Sequence, residues 1–173
     1  DVPFIKIPSA KLTDRELLIA AAKLGKPLVV STGMSDLKEI DRAVKILEKY
    51  ASQYVLMHCN SAYPAPQAEL NIRCVQTLQK RYKCPVGYSG HEYDLEPTIF
   101  AAVLGAKLFE RHITLDHTMW GTDQSASLEI TGIDKLKRRI ENINLILGDG
   151  EERVTESELS VRRKLRGDDY HIS

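Results

Sequence analysis

Two histidines, His91 and His112, lie at the ends of consecutive stretches that are typical of β-strands, "PVGYSG" and "KLFERHIT". Neighbouring parallel strands lie about 4.8 Å apart, so both imidazoles could contact one divalent ion. Imidazole nitrogens suit Mn, Fe, Co or Zn better than Mg or Ca. A pair of hydrogen-bonded structural histidines is the alternative. Glu110 is predicted on the same strand face as His112, whereas His58 in "YVLMHCN" is predicted to be a core or supporting residue.

Hydroxyl groups and one ammonium group also lie near the ends of the predicted strands. The residues are Lys6, Ser9, Ser31, Ser61, Tyr63 and Ser89. Fixed donors of this kind suit a phosphate or a carboxylate. Each serine alone is explained equally well as a cap or loop residue, but recurrence at several strand ends favours an anion site. Asp123, in the polar loop "WGTDQSAS", could accept hydrogen bonds from a polyol, and an ordinary solvent-facing carboxylate is the alternative.

Strand-like and helix-like stretches alternate along the chain. Strands are predicted at 4–9, 27–33, 54–60, 85–90 and 107–114, and helices near 14–24, 36–50, 68–82, 96–105 and 131–147. This alternation predicts an α/β fold with a parallel sheet covered by helices. Thr13 with Glu16, and Asp36 with Glu39, are predicted capping boxes for the first two helices.

The distribution of polar residues distinguishes two folds that share this alternation. A (β/α)8 barrel carries its active site at the carboxyl ends of its strands, whereas a doubly wound sheet collects ligand groups near one switch point. Polar residues follow nearly every predicted strand, which favours the TIM-barrel type. Because a full barrel takes about 250 residues, we predict an incomplete barrel that lacks its first three units.

Composition and charge exclude several functional classes. The 173 residues carry 24 Lys plus Arg and 24 Asp plus Glu, so zero net charge gives no general attraction for nucleic acid or an anionic membrane. No apolar run approaches the roughly 20 residues that span a bilayer. The 3 cysteines form no C-x-x-C pair, which favours reduced thiols and a cytoplasmic location. The start "DVPFIKIPS" lacks Met and enters a strand almost at once, so we expect a piece of a longer chain.

Six motifs follow one another along the chain: "KIPSAKLTDRELL", "PLVVSTGMS", "HCNSAYPAP", "VGYSGHE", "LGAKLFERHITLD" and "GTDQSASLE". In this order and spacing they resemble the motifs of the N-acetylneuraminate (sialic acid) synthase family. The resemblance implies a (β/α)8 TIM-type barrel in which residues 1–150 match units four to eight. Residues 151–173 would then form a post-barrel segment toward an antifreeze-like domain absent from this chain. The resemblance also implies that the full-length protein is a homodimer.

The resemblance implies a reaction and a role for each candidate residue. Members join phosphoenolpyruvate to an N-acetylated amino sugar, open-chain N-acetylmannosamine or its 6-phosphate, and give N-acetylneuraminate or its 9-phosphate. His91 and His112 match ligands of a divalent metal, first Mn²⁺ with Mg²⁺ or Co²⁺ as alternatives, which activates the sugar aldehyde. Catalytic roles are implied for both histidines and Tyr63, and Asp123 matches an acid that holds sugar hydroxyls. The phosphoenolpyruvate pocket matches Lys6, Ser9, Ser31, Ser61, Tyr63 and Ser89.

The chain departs from the family pattern at two points. Gly90 replaces an aspartate that many bacterial relatives carry, a change that could favour a phosphorylated sugar. A glutamate and phosphate ligands from the first three strands, and an arginine from the antifreeze-like domain, are absent. Two alternatives therefore stay open, a synthase of another nonulosonic or 3-deoxy-sugar acid and an inactive fragment that binds metal or anion.

An incomplete barrel predicts an unstable chain. Its two edge strands keep unpaired backbone groups, and inner-face residues such as Val29, Val55 and Met57 lack an opposite wall. We therefore expect the 173 residues alone to associate, to aggregate or to need the absent units.

Overall fold

The computed structural model describes residues 2–167. Within them, five strands form one sheet in the order β1-β2-β3-β4-β5, and every neighbouring pair is parallel. The strands are β1 (Ile5–Ile7), β2 (Leu28–Ser31), β3 (Tyr54–His58), β4 (Val86–Gly90) and β5 (Phe109–Arg111). The helices are α1 (Arg15–Lys23), α2 (Leu37–Tyr50), α3 (Cys74–Tyr82), α4 (Glu96–Val103), α5 (Ile130–Glu141), α6 (Ile143–Leu147) and α7 (Leu159–Arg166). Short 3₁₀ helices occupy Ser9–Lys11, Gln67–Glu69, Gln124–Ala126 and Glu156–Glu158.

Alternate residues of each strand lie on opposite faces of the sheet. One face packs against helices, because Val30 and Leu56 share a buried core with Leu18, Val44 and Val75. The side chains between these core positions lie on the other face, where most of the candidate site residues are found. The α/β fold predicted from the sequence is confirmed, and the alternation of apolar and polar strand positions separates core from site.

The sheet curls strongly enough to bring its two edge strands into side-chain contact. Lys6 lies on β1 and Glu110 on β5, yet Lys6 Nζ lies 3.1 Å from Glu110 Oε2. In a flat sheet, four spacings of about 4.8 Å would separate the two backbones by roughly 19 Å. One lysine and one glutamate side chain do not bridge that distance. The five strands therefore form part of a (β/α)8-type barrel, as predicted.

The inner face of the curled sheet is less exposed than the sequence predicts. Val29 is 7% exposed and Met57 is 0% exposed, and Val55 is half-buried. Gly87 helps to bury Met57, since a Cβ at this glycine would clash with Met57 Sδ and lie 2.5 Å from the Leu108 carbonyl oxygen. The expectation that all three residues lack a cover is wrong for Val29 and Met57.

Side-chain caps begin the first two long helices. Asp36 accepts a hydrogen bond from Glu39 N at 2.8 Å, and Glu39 accepts one from Asp36 N at 3.0 Å, which confirms the predicted capping box of α2. The predicted box of Thr13 with Glu16 is wrong. Asp14 caps α1 instead, by accepting a hydrogen bond from the backbone N–H three residues later. A carboxylate serves this role as well as a hydroxyl does.

The predicted helix of 131–147 is interrupted, because Asn142 separates α5 from α6. The chain divides near this point into two compact units, one that ends at Ile143 and one that begins at Asn144. The second unit contains α7, which follows a 3₁₀ turn. The assignment of residues 151–173 to a segment that leads to a further domain stays a prediction.

Between residues 2 and 167, no helix is long and apolar enough to cross a membrane.

Candidate active site

Three aromatic rings meet beyond the ends of β3, β4 and β5. The ring centroids of His91 and His112 lie 5.3 Å apart, at an interplanar angle of 81°. The Tyr63 ring lies 4.2 Å from that of His91 and 5.2 Å from that of His112. The structure therefore brings together the two histidines that strand spacing predicted to converge, and it adds the phenol of Tyr63 to them.

The hydrogen bonds of His91 fix which ring nitrogen carries the proton. Nδ1 contacts the backbone carbonyl oxygen of Asn60, which can only accept, so Nδ1 donates and Nε2 keeps its lone pair. Nε2 accepts a hydrogen bond from the Tyr63 hydroxyl at 3.1 Å. Burial lowers the pKa of His91, and the neighbouring His112 lowers it further, while the Asn60 carbonyl opposes the shift. His91 is thus held as a neutral imidazole whose Nε2 lone pair accepts from Tyr63, and the neutral imidazole is the form that binds metal.

His112 lies beside Asp123, at 3.7 Å between Nδ1 and Oδ2. Backbone hydrogen bonds hold this region, because Leu128 N donates to the His112 carbonyl at 2.7 Å and Thr114 N donates to the Leu128 carbonyl at 2.9 Å. These bonds join the end of β5 to the residues that follow the loop of Asp123. The carboxylate that the sequence assigned to sugar hydroxyls therefore lies next to one of the predicted metal ligands.

A second polar group surrounds Gly33, just beyond the end of β2. Gly33 N donates a hydrogen bond to Ser9 Oγ at 3.1 Å, and Ser9 Oγ lies 3.2 Å from Cys59 Sγ. A Cβ at Gly33 would clash with Ser61 Oγ and would lie 2.8 Å from Ser9 Oγ. Ser9 and Ser61, both predicted anion ligands, thus approach the same backbone position. Because Gly33 has no side chain, the Ser9 and Ser61 hydroxyls can approach its backbone closely.

Ser31 and Ser89 lie within strands, Ser31 in β2 and Ser89 in β4. They are 2% and 3% exposed. Ser89 Oγ lies 3.4 Å from His91 Nε2. Within residues 2–167, Ser31 Oγ is one of two buried side-chain polar atoms without a hydrogen-bond partner. A buried hydroxyl without a partner is unfavourable, so Ser31 is an available donor for an oxygen-rich ligand.

Lys6 contacts Glu110 across the inner face, at 3.1 Å between Nζ and Oε2. Both side chains are about a third exposed, at 30% and 38%. Burial raises the pKa of Tyr63, and Cys59, Asp123 and Glu110 add to this shift. The carboxylate predicted on the same face as His112 is therefore near the aromatic cluster, and it holds the ammonium predicted to bind an anion.

Two other sequence-based interpretations concern the opposite face of the sheet. His58 lies 2.7 Å, through Nε2, from the Leu70 carbonyl oxygen, and burial lowers its pKa. It is half-buried, and its ring contacts the backbone on the helix-facing side rather than the predicted metal ligands. A Cβ at Gly90 would lie 2.6 Å from Glu92 Oε1 and 3.0 Å from Arg111 Cδ. A side chain at position 90 would therefore meet a buried ion pair, and the structure gives no contact through which it would select a sugar.

Sequence reasoning missed two groups that shape the site. The Asn60 backbone carbonyl sets the tautomer of His91, and backbone acceptors leave no signature in residue type. Cys59 contacts Ser9, and its place between His58 and Asn60 at a strand end was the available signal.

Within the described part of the chain, no group of three His, Cys, Asp or Glu could hold a metal ion, and His91 and His112 stay a predicted pair of ligands. Two imidazoles leave several positions of a divalent ion for water or substrate oxygens. Such open positions are typical of catalytic rather than structural metal sites. The tautomer of His91 fits this role, since it leaves the lone pair on Nε2, to which the Tyr63 hydroxyl donates.

Comparison with known proteins gives consistent matches. A sequence model of the NeuB family matches residues 1–152. An N,N'-diacetyllegionaminic acid synthase from Campylobacter jejuni is 39% identical, over 88% of this chain and 47% of the relative. The human N-acetylneuraminate-9-phosphate synthase is 35% identical, over 95% of this chain and 46% of the relative.

Among solved structures, the N-acetylneuraminic acid (sialic acid) synthetase of Leptospira borgpetersenii, in complex with citrate, is similar. Its TM-score is 0.82 at 36% identity, and the match covers 95% of this chain and 59% of that chain. The chain spans about half the length of the curated relatives it matches.

Proposed function

Because the chain belongs to the NeuB family, we propose that the protein that carries it condenses phosphoenolpyruvate with N-acetylmannosamine or its 6-phosphate. The methylene carbon of phosphoenolpyruvate forms a bond with the aldehyde carbon of the sugar. Water adds to the adjacent carbon of phosphoenolpyruvate, phosphate leaves, and the product is N-acetylneuraminate or its 9-phosphate. The observation that carries the proposal is the contact among Tyr63, His91 and His112 at the strand ends.

His91 and His112 are the residues that would hold a divalent metal, first Mn²⁺, with Mg²⁺ or Co²⁺ as alternatives. Such an ion supplies Lewis-acid activation of the sugar aldehyde. The Asn60 carbonyl keeps His91 in the required tautomer. Tyr63 occupies the His91 lone pair through its hydroxyl, and burial raises the pKa of Tyr63. The phenol therefore stays a neutral donor that can turn toward a substrate oxygen when His91 binds metal.

The serine hydroxyls and Lys6 are the groups that would bind the phosphate and the carboxylate of phosphoenolpyruvate. The unpaired Ser31 hydroxyl and the close approach of the Ser9 and Ser61 hydroxyls at Gly33 support this assignment. Charge-assisted hydrogen bonds from Lys6 would be stronger than those from neutral donors. Glu110 keeps the Lys6 ammonium in place when no substrate is bound. Fixed donors of this kind stabilise the charge on phosphate throughout the reaction.

The experiment uses the full-length protein with phosphoenolpyruvate, N-acetylmannosamine and Mn²⁺, and it measures released phosphate and the nonulosonic acid formed. We expect turnover that requires metal, and we expect its loss in His91→Ala and in His112→Ala. His58→Asn is the matched control, because His58 lies on the helix-facing side. Turnover that persists in both alanine variants would contradict the assignment of the site.

A second candidate is a synthase of a different nonulosonic acid. The C. jejuni relative supports it, because its identity to this chain is at least as high as that of the human relative. The same assay with N-acetylmannosamine, its 6-phosphate and a diacetamido sugar separates the candidates by relative kcat/KM.

The family resemblance further supports a cytoplasmic homodimer for the full-length protein. Sedimentation tests the dimer, and cell fractionation tests the location.

A further inference from the structure

A buried ion pair lies on the helix-facing side of β4 and β5. Arg111 Nη1 lies 3.2 Å from Glu92 Oε1, and the two side chains are 4% and 1% exposed. The Glu92 carboxylate also accepts hydrogen bonds from the Tyr88 hydroxyl at 2.9 Å and from Thr98 Oγ1 at 3.4 Å. Arg111 Nη1 donates to the Asp94 carbonyl at 3.0 Å and to Thr98 Oγ1 at 3.2 Å. The pair is thus held by several directional contacts and shielded from water.

The position of this pair along the chain relates it to the active site. Glu92 directly follows His91, and Arg111 directly precedes His112. The register of β4 with β5 runs to the pair Gly90 and Arg111. Both histidines therefore lie one residue beyond the paired register of the two strands. The ion pair joins the two segments at the point where backbone pairing between the strands ends.

We propose that Glu92 and Arg111 are positioning residues that fix the separation and orientation of the His91 and His112 rings. A buried ion pair is no more stabilising than well-packed apolar residues of similar volume, so stability alone does not explain it. Its geometry constrains both backbones, which apolar packing would do less strictly. The proposal rests on the proposed function only where metal binding is measured. The NMR signals of the two imidazoles in the metal-free protein test it separately.

Gly90 provides a specific test of this idea. A Cβ there would lie 2.6 Å from Glu92 Oε1 and 3.0 Å from Arg111 Cδ. Arg111 Nε is buried and, among residues 2–167, has no hydrogen-bond partner. A carboxylate placed at position 90 would therefore occupy the space of the Glu92 carboxylate and would reach the same guanidinium. Gly90→Asp should then rescue a chain in which Glu92 has been truncated.

The experiment compares variants of the full-length protein by titration with Mn²⁺ alone, without substrates. Glu92→Ala and the double variant Glu92→Leu/Arg111→Met should each weaken Mn²⁺ binding about tenfold or more, as supporting residues of metal ligands do. The double variant leaves no unpaired buried charge, so it should keep the fold. Gly90→Asp/Glu92→Ala should recover most of the lost affinity. The control is Arg81→Met, which removes an exposed pair with Asp41 on α2 and α3.

NMR of the metal-free protein gives the second readout. The wild-type spectrum should show His91 as one ordered tautomer with its proton on Nδ1, and Arg81→Met should preserve it. Glu92→Leu/Arg111→Met should broaden or average the imidazole signals of His91 and His112. Folded variants with unchanged Mn²⁺ affinity, or unchanged imidazole signals, would overturn the proposal, and so would failure of Gly90→Asp to rescue. A wild-type protein that binds no Mn²⁺ would sink the metal assignment, and the imidazole signals would then decide the positioning role alone.

Discussion

At the scale of single residues, the two nitrogens of His91 have separate partners. Nδ1 donates to the Asn60 carbonyl and Nε2 accepts from Tyr63. The backbone of one strand end thereby determines the chemistry that the side chain of another can perform. Lys6 has an equally defined environment, because Glu110 holds its ammonium on the inner face.

Lys6→Met should raise the KM for phosphoenolpyruvate about tenfold or more, because a charge-assisted hydrogen bond contributes roughly 1.5–3 kcal/mol. Removal of the ammonium also leaves the Glu110 carboxylate to repel an anion. The KM for the sugar should change much less, and steady-state kinetics with each substrate varied in turn measures both. Lys11→Met is the control, since Lys11 forms only an exposed pair with Asp14. Equal increases for both substrates would contradict the assignment of Lys6.

The sequence predicted where these candidate residues lie better than it predicted their contacts. Serines and histidines at strand ends could be identified from residue type and spacing. The contact of Lys6 with Glu110 could not, because it depends on the curl of the sheet. The neighbours of Gly90 could not be predicted either, because the approach of Glu92 and Arg111 to it depends on how β4 and β5 pack.

At the scale of helices and strands, local capping decides where α2 begins. Asp36→Ala should lower the free energy of unfolding by about 1 kcal/mol, since it leaves a backbone N–H of the first turn without its acceptor. Asp36→Ser should retain most of the stability, because serine is also a good cap. Thr13→Ala is the control, since the box predicted for Thr13 does not form. Chemical denaturation of the full-length protein measures all three, and a loss in Thr13→Ala as large as in Asp36→Ala would contradict this account.

His58, on the helix-facing side of β3, should make the stability of the protein depend on pH. Burial lowers the pKa of His58 below its ordinary value of about 6.5. The unfolded chain therefore binds a proton that the folded chain excludes, and stability present above that pH is lost as the pH falls. Denaturation at pH values from about 7.5 to 5 should show this loss, and His58→Asn should reduce it. Burial lowers the pKa of His91 as well, so His91 adds to the same loss. An unchanged pH profile in His58→Asn would exclude His58 as a cause.

Element type was predictable where periodicity was strong, and boundaries were not. All five strands were found near their predicted positions, because apolar runs between polar ends are unambiguous in an α/β chain. α3 begins at Cys74, later than predicted, because a 3₁₀ turn at Gln67–Glu69 precedes it. The break between α5 and α6 at Asn142 could not be predicted, because no glycine or proline marks it in the sequence.

At the scale of the whole molecule, the open edges of the sheet dominate. β1 and β5 are the edge strands, and large apolar side chains flank them. Phe4 is 48% exposed before β1, and Ile113, Leu115 and Trp120 are 70%, 81% and 98% exposed after β5. Such exposed apolar groups beside unpaired strand edges favour association. Because Val29 and Met57 are buried, we attribute the expected association to the strand edges rather than to the inner face of the sheet.

The isolated chain of 173 residues should therefore sediment as oligomers or aggregates and should melt without a sharp transition. Sedimentation velocity and calorimetry test this, with turnover of phosphoenolpyruvate and N-acetylmannosamine measured in parallel. Trp120→Lys with Ile113→Lys should reduce association, because charge on exposed edges opposes pairing. A sharply melting monomer would refute this prediction, and measurable turnover would show that the groups absent from this chain are dispensable.

The contact between Lys6 and Glu110 also allows the curvature of the sheet to be read by mass spectrometry. A carbodiimide joins an amine to a carboxylate only when the two groups touch, and these lie 3.1 Å apart with partial exposure. Treatment of the full-length protein should yield an isopeptide bond between the tryptic peptides that contain β1 and β5, with loss of one water. Glu110→Gln should abolish this product and leave the one expected between Lys11 and Asp14. A reagent of zero length thus converts a tertiary shape into a covalent link that survives unfolding.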